Sequence, residues 1–198
     1  MLIRKIIGLF FVRVDLYCIN LQDAELFNEK ILDKYSFEII NDISDLPKLN
    51  SLFNERGEVF RSVVKERLLS GNFLCFCFIE KESRKMAYTR WLRKDSFYHE
   101  KLKEIVELAE DEAFTMDSYT LREFRGQGLH TEMNKRMLNF CKNEMNVSKV
   151  YMVIFHGEEY SHLHRTVEEI GYFRIRSRLH FQQNLINRIK KKLIRKNG

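Results

Sequence analysis

The chain has 198 residues, 44% of them apolar, which suits one ordinary domain with a full-sized core and argues against intrinsic disorder. One proline and eight glycines are poor material for a loop-rich all-β sandwich and favour long helices and strands. The net charge of +6 equals the charge of the last fourteen residues, so the remaining body is nearly neutral and does not have the charge of a nucleic-acid-binding surface.

Hydrophobic periodicity predicts an alternation of strands and helices along the chain. Residues 99–109 are highly charged and are predicted to form a short helix. The predicted strands are 11–19, 37–40, 73–80, 86–93, 112–120, 150–155 and 172–181. Besides the helix at 99–109, the predicted helices are two between 44 and 69, one from about 128 to 143 and one at 159–170. Helices alternate with strands only in the second half, which predicts an α/β fold with a mixed sheet.

No linker, repeat or low-complexity segment divides the sequence, so we expect a single domain over 1–198. Its ends, 1–11 and 185–198, are short, basic and amphipathic. The first apolar run has no signal-peptide cleavage site after it and is too short to span a bilayer. The four cysteines have no framework spacing and are expected to be buried free thiols, which suits a reducing cytosol.

Arg125, Gly126, Gln127 and Gly128 lie between a predicted strand and a predicted helix. Glycine lets the backbone approach a ligand closely, and the first turn of a helix presents amide groups and positive potential. Such a turn suits a pyrophosphate. It is not a P-loop, because no Gly-Lys-Ser/Thr follows, and Thr131 stands where a dinucleotide fingerprint needs glycine.

This turn resembles the acyl-CoA pyrophosphate motif of the GNAT superfamily of N-acyltransferases, Arg/Gln-x-x-Gly-x-Gly/Ala. Arg125, Gly128 and His130 fall on its three defined positions. Residues 109–181 match the family specifically, with Gly171-Tyr172 where the family usually has Gly-Phe, and residues 36–108 match only in the order of their elements. His130 departs from the preferred Gly or Ala, and we expect its side chain to point outward or the phosphate geometry to differ slightly; donation from His130 to a phosphate is a further alternative.

The resemblance implies a GNAT-like, mostly antiparallel central sheet flanked by helices, in which two splayed strands bind acyl-CoA. The donor would be acetyl-CoA. The main chain of Ser118, Tyr119 and Thr120 would bind the pantetheine arm, and the amides of Gly126, Gln127, Gly128, Leu129, His130 and Thr131 would hold the pyrophosphate, assisted by Arg125.

Direct acyl transfer to an amine requires the neutral amine, so a positioned base helps the reaction. The resemblance implies a carboxylate on the strand before the motif. Glu112 is the candidate, with Asp111 and Asp117 as alternatives. The family's usual general acid, a tyrosine near the end of the next helix, is replaced by Val167. Tyr160 on the same helix is the candidate substitute, with His162 and His164 as alternatives.

No metal site is predicted from His156, His162 and His164, because the last two, two residues apart on a helix, point to different faces and no carboxylate-and-cysteine set supports them. The predicted function is an acetyl-CoA-dependent N-acetyltransferase with a small amine acceptor, such as an amino-sugar nucleotide. The alternative is a non-catalytic acyl-CoA-binding or membrane-associated module on the same fold. The oligomeric state stays open.

Basic amphipathic segments of the kind found at both ends lie in the headgroup plane of anionic membranes. The apolar residues of the second recur at helical spacing: Leu185, Ile186, Ile189, Leu193 and Ile194. The expected location of the protein is the cytoplasm. Its two ends either contact the inner face of the membrane peripherally or pack on the domain or on a second subunit.

Overall fold

The computed structural model describes residues 11–22, 24–30, 32–156 and 160–181. Two compact units divide the chain. The larger contains Ile19–Phe97 and Glu107–Met152, and the smaller contains residues 11–18, Tyr98–Val106 and the described residues from 153 onward. The expected single domain stays a prediction, and the amphipathic ends lie outside the described residues, apart from residue 11.

The strands of the described chain are β1 (Phe11–Asn20), β2 (Tyr35–Ile40), β3 (Phe73–Glu80), β4 (Met86–Arg93), β5 (Phe97–His99), β6 (Glu104–Val106), β7 (Glu112–Thr120), β8 (Lys149–Phe155) and β9 (Phe173–Phe181). Its helices are α1 (Asn50–Arg56), α2 (Glu58–Ser70), α3 (Leu129–Asn143) and α4 (Ser161–Ile170), with short 3-10 helices at Ile43–Leu49 and Arg122–Phe124.

The central sheet is mixed and mostly antiparallel, as predicted. In the described residues it has seven strands, in the order β2-β3-β4-β7-β8-β1-β9. In the larger unit β3 pairs antiparallel with β2 and with β4, and β4 pairs antiparallel with β7. The pairing between β7 and β8 is parallel. In the smaller unit β1 pairs antiparallel with β9.

The core of the larger unit lies between the sheet and α3. Both β3 and β4 are buried along nearly their whole length, and Trp91 and Tyr88 have no exposed surface. The helix α3 buries Met133, Met137 and Cys141 on one face, because these apolar residues recur at helical spacing. All four cysteines are free and buried, as the sequence predicts.

The segment 24–30, which has no regular secondary structure, is hydrogen-bonded along α3 in the larger unit. Asn139 accepts from the amide of Phe27 through Oδ1 (2.8 Å) and donates to the carbonyl of Phe27 through Nδ2 (2.9 Å). Buried Glu132 accepts from the amide of Lys30 at 2.6 Å. Side chains of one helix therefore supply the partners that this segment's backbone needs.

The predicted short helix at 99–109 is wrong. Residues 97–99 and 104–106 form a separate two-stranded sheet instead. Lys103 adopts a left-handed conformation (φ 53°) directly before β6, and its amide donates to the carbonyl of His99 at 2.9 Å. This tight turn leaves Val106 buried and Ile105 exposed, an alternation typical of a strand.

Within residues 11–181, apart from the residues that the structure does not describe, no helix combines the length and the hydrophobicity that a bilayer crossing requires.

Candidate functional site

The strand β7 pairs with β4 from Phe114 to Thr120, but with β8 only over its first half. Its parallel pairing with β8 runs from Glu112↔Lys149 to Thr115↔Met152. The next residues of β7 continue the antiparallel pairing with β4, up to Thr120↔Tyr88. Within the larger unit, the backbone of Met116–Thr120 therefore belongs to the ladder with β4, and it leads directly to the predicted binding turn.

A β-bulge lies in this second half of β7. The register with β4 shifts between Thr89 and Trp91, and Asp117 adopts a left-handed conformation at φ 47°. Asp tolerates that conformation better than most residues. The guanidinium of Arg67 donates to the carboxylate of Asp117. Bulges bend a strand and redirect its side chains, and they are frequent beside active sites.

Two glycines with positive φ form the turn between β7 and α3. Gly126 has φ 76° and Gly128, the N-cap of α3, has φ 73°. A Cβ built at either position would meet no atom within 4 Å, so both backbones border open space. The amide of Glu132 donates to the carbonyl of Gly128 at 3.2 Å. The amides before Glu132 in the first turn of a helix are not used by the helix's own hydrogen bonds, so they can face a ligand.

Side chains hold this turn in place. The Nε of Arg125 donates to the carbonyl of Thr120 at 3.2 Å, and the hydroxyl of Tyr35 donates to Gln127. Leu129 is only 2% exposed, so its side chain anchors the start of α3 in the core. Ser118 and Thr131 are exposed. The predicted donor-binding residues thus line the exposed end of β7 and the first turn of α3.

The expectation for His130 is wrong in one respect. Its ring does not point outward but packs edge-on against buried Tyr88, with ring centroids 5.9 Å apart. Nδ1 of His130 lies 2.9 Å from the hydroxyl of Tyr88. The imidazole lies against β4 because a polar partner is available there. Tyr88 and its neighbour on the same strand, Trp91, are core residues.

Two residues beside Tyr119 were not singled out from the sequence. Glu55 accepts from the hydroxyl of Tyr119 at 2.8 Å and from the amide of Arg122 at 3.1 Å. The guanidinium of Arg56 lies 5.0 Å from the centre of the Tyr119 ring, and that of Arg125 lies 5.8 Å from it. The two guanidiniums add positive charge beside Tyr119 and the Glu55 carboxylate adds negative charge, and nothing in the local sequence around Glu55 indicates these contacts.

Glu112, the predicted general base, has both carboxylate oxygens engaged in the larger unit. Oε1 accepts from Lys149 (3.0 Å) and from the hydroxyl of Tyr151 (2.9 Å), and Oε2 accepts from the amide of Ala109 at 3.2 Å. Burial raises the pKa of Glu112, but these hydrogen bonds outweigh burial and lower it. A lowered pKa makes a carboxylate a weaker base. The catalytic role of Glu112 stays a prediction.

Tyr160, the predicted general acid, is the N-cap residue of α4 in the smaller unit. It is half-buried, and its ring packs against Phe155 with centroids 5.9 Å apart. Val167, at the position where the family usually has tyrosine, is 1% exposed and belongs to the core. His162 on the same helix is exposed. The role of Tyr160 also stays a prediction.

No protein-family model matches the chain, and no curated protein matches it. Solved structures do. A GCN5-related glucosamine N-acetyltransferase region of a fungal multi-domain GH3 β-N-acetylglucosaminidase superimposes with a TM-score of 0.64 at 17% identity, covering 85% of this chain and 20% of that one. A GCN5-related N-acetyltransferase from Sphaerobacter thermophilus gives a TM-score of 0.63 at 11% identity, covering 91% and 55%.

An aminoglycoside acetyltransferase from an uncultured soil metagenomic sample, in complex with sisomicin, gives a TM-score of 0.50 at 14% identity and covers 72% of this chain and 90% of that one. The chain thus spans between a fifth and nine tenths of the length of these three structures. At identities this low the likeness is one of fold. That fold is the one of the GCN5-related N-acetyltransferase (GNAT) superfamily, which confirms the resemblance predicted from the motif.

Proposed function

We propose that this protein is an acetyl-CoA-dependent N-acetyltransferase that transfers the acetyl group directly to an amine. The observation that carries the proposal is the succession of the strand end Met116–Thr120, the short 3-10 helix Arg122–Phe124 and the turn at Gly126 and Gly128. It combines a strand end with the N-terminus of a 15-residue helix. On this fold, such a surface suits an elongated ligand with amides at one end and a pyrophosphate at the other.

The residues present fit acetyl-CoA. Gly126 and Gly128 leave open space where a Cβ would otherwise stand, so the phosphates can approach the amides of the turn. The N-terminal end of α3 carries positive potential, and the exposed Arg122 and Arg125 add charge beside it. The main chain of Ser118, Tyr119 and Thr120 would bind the pantetheine amides.

When bound, acetyl-CoA supplies a thioester carbon that accepts the amine nitrogen as the C–S bond breaks and CoA leaves as a thiolate. Glu112 would take the proton that the amine nitrogen loses. Tyr160 would protonate the departing sulfur through its hydroxyl. Both roles require that these side chains reach the reacting atoms in the complex.

An amino sugar is the acceptor class that we infer. Two of the similar structures are named for such compounds, one for glucosamine N-acetylation and the other for an aminoglycoside acetyltransferase holding sisomicin. Both names concern amines attached to sugar rings. Amino-sugar nucleotides are one form of this class and should be included in any acceptor panel.

The test is an assay of CoA release from acetyl-CoA across amino-sugar nucleotides, aminoglycosides and small alkyl amines. Release that depends on an acceptor and yields the N-acetylated product supports the proposal. The Gly128→Asp variant should lose this activity. If no acceptor in the panel is acetylated although acetyl-CoA binds, the transferase assignment is contradicted.

One observation favours a second candidate, a non-catalytic acyl-CoA-binding module. Val167 replaces the family's usual tyrosine and is buried, so this position offers no proton donor. On this interpretation acetyl-CoA would still bind at the turn, and no amine would be acetylated. Binding and turnover, measured on the same preparation, separate the two candidates.

Peripheral contact with an anionic membrane is a further part of the proposal. Its support comes from the sequence of the basic, amphipathic ends, which lie outside the described residues. Basic residues near an anionic surface contribute on the order of 1 kcal/mol each, and six of them occur in 185–198.

A further inference from the structure

Three side chains of the smaller unit converge on one point: Asp15 on β1, His156 directly after β8 and His164 on α4. One nitrogen of each histidine and one carboxylate oxygen of Asp15 all lie within 4.8 Å of one another. These residues are up to 149 positions apart in the sequence, so the fold alone brings them together.

Asp15 is fully buried, and its Oδ2 has no hydrogen-bond partner among the described residues. A buried carboxylate oxygen without a hydrogen bond carries a desolvation cost, which the nearby His156 and Arg174 side chains reduce and which a bound cation would reduce further. The other oxygen, Oδ1, accepts from Nε of Arg13 at 2.8 Å. This bond fixes the carboxylate so that Oδ2 faces Nε2 of His156 at 3.5 Å.

The ring of His164 is also fixed in orientation. Its Nδ1 lies 2.9 Å from the hydroxyl of Tyr17, and its Nε2 lies 3.1 Å from the carbonyl oxygen of Phe155. Both ring nitrogens thus have a protein oxygen beside them, so a metal ion would replace one of these two contacts. The other contact would then orient the ring, as it does in histidines that ligate metals. The ring centroids of His156 and His164 are 4.9 Å apart.

We propose that Asp15, His156 and His164 form a binding site for a divalent transition-metal ion of the zinc class. Two imidazoles and one carboxylate are a donor set that suits Zn²⁺, Co²⁺ or Ni²⁺ rather than Mg²⁺ or Ca²⁺. Ligand atoms about 2.0–2.1 Å from a tetrahedral zinc are roughly 3.3 Å apart, close to the 3.5 Å between Asp15 and His156.

The site is open on one side, because the side chain of His156 is 46% exposed. Three protein ligands with solvent access leave a fourth position for water or for a substrate atom. This proposal departs from the expectation that no metal is bound. That expectation weighed His156, His162 and His164 and found no supporting carboxylate, whereas the structure brings Asp15 of β1 next to His156 and His164.

Arg174 competes with a cation for the same oxygen. Its Nη1 lies 3.6 Å from Oδ2 of Asp15, and its side chain is 47% exposed, so the guanidinium can move into solvent when an ion binds. A neighbouring positive charge weakens cation binding. Removal of this charge should therefore strengthen the site, an effect that a purely structural ion-pair cluster would not show.

The test uses the full chain without an affinity tag, freed of metal and titrated with Co²⁺ and Zn²⁺. We expect one Co²⁺ per chain, with the intense visible absorption of a tetrahedral site, displaced by Zn²⁺. His156→Ala should weaken binding by at least about tenfold. Arg174→Gln should tighten it by at least about fivefold.

His162→Ala, an exposed histidine of the same helix, is the matched control and should bind like the wild type. Asp15→Asn tests the carboxylate, and circular dichroism shows whether it folds. Since His156 is exposed, its alanine variant keeps the test decisive if Asp15→Asn does not fold. Equal Co²⁺ binding by the wild type and His156→Ala, or equal weakening by His162→Ala, would overturn the proposal.

Discussion

The hydroxyl of Tyr88 lies 2.9 Å from Nδ1 of His130, which connects the middle of the sheet to the first turn of α3. Burial raises the pKa of Tyr88, so its hydroxyl stays protonated through the neutral range. The bulky residue at the position where the GNAT motif prefers glycine or alanine is thereby drawn against β4. Its side chain leaves the two glycines before it clear for a ligand.

Gly128→Asp should abolish the stabilisation that acetyl-CoA gives to the folded protein. The new carboxylate would point into the open space beside the turn, where we expect the pyrophosphate, and Asp tolerates the positive φ of this position. The wild type should gain about 2.7 kcal/mol at a ligand concentration 100 times Kd, measured as a rise in thermal midpoint.

Gly128→Asn is the matched control, since it has nearly the same shape without the charge. It should retain much more of the acetyl-CoA response than Gly128→Asp. If both variants fold and respond to acetyl-CoA as strongly as the wild type, the turn is not the pyrophosphate site.

Glu112→Gln should lower the rate of acetyl transfer by roughly 10²–10⁴-fold if Glu112 is the general base. The loss should shrink at high pH, where the acceptor amine loses its proton without help. Glu110→Gln, an exposed acid two residues earlier, should leave the rate unchanged. A loss of equal size at every pH would instead assign a binding or structural role to Glu112.

The same variant has a separate consequence for stability. Because the pKa of Glu112 is lower in the folded state than its ordinary value of 4.5, its contribution to the free energy of unfolding is present above that value. It is lost as the pH falls through the folded-state pKa. Urea unfolding should therefore show a difference between wild type and Glu112→Gln at neutral pH that disappears in acid. A difference that persists in acid contradicts this assignment.

Tyr160→Phe should reduce turnover but not acetyl-CoA binding if its hydroxyl protonates the departing thiolate. The ring, and hence its contact with Phe155, is preserved in this variant. Tyr98→Phe, an exposed tyrosine of the same unit, serves as the control. Unchanged turnover in Tyr160→Phe would remove Tyr160 from the reaction.

Local patterns in the sequence predicted the strand, turn and helix around Gly126 and Gly128, because glycine spacing and helical periodicity are properties of neighbouring residues. They also predicted a strand at 11–19, though not its place between β8 and β9, which depends on pairing across the whole chain. The strands β5 and β6 have three residues each, too few for an alternation to be recognised.

Several side-chain contacts were not predicted because they too join residues that are far apart in the sequence. Glu55 meets Tyr119 across 64 positions, and Asp15 meets His156 across the length of the chain. Residue type and local spacing carry no information about such pairs. The sequence thus predicted the strand, turn and helix on which the proposed donor site lies, and it did not predict the side-chain contacts around them.

The intact protein should sediment with anionic liposomes at low salt and be released at high salt. Removal of residues 185–198 should weaken this binding and leave acetyl-CoA binding unchanged, because the six basic residues of this segment would be lost. Vesicles of neutral lipid are the control. If the intact protein ignores anionic vesicles even at low ionic strength, the ends have no membrane role.

Asn139→Ala should destabilise the protein by about 1–2 kcal/mol. Asn139 satisfies both the amide and the carbonyl of Phe27 and also donates to Glu29 at 2.7 Å, so its removal leaves backbone groups of the segment 24–30 without partners. The backbone groups left without partners should cost about 1–3 kcal/mol, and the better helix propensity of alanine reduces this loss.

Asn143→Ala makes the same change at an exposed position of α3 and corrects for that propensity. Urea unfolding measures the difference, and hydrogen exchange should show lost protection of the Phe27 amide in Asn139→Ala alone. Equal stabilities of the two variants would mean that the segment 24–30 is held by its other contacts with α3.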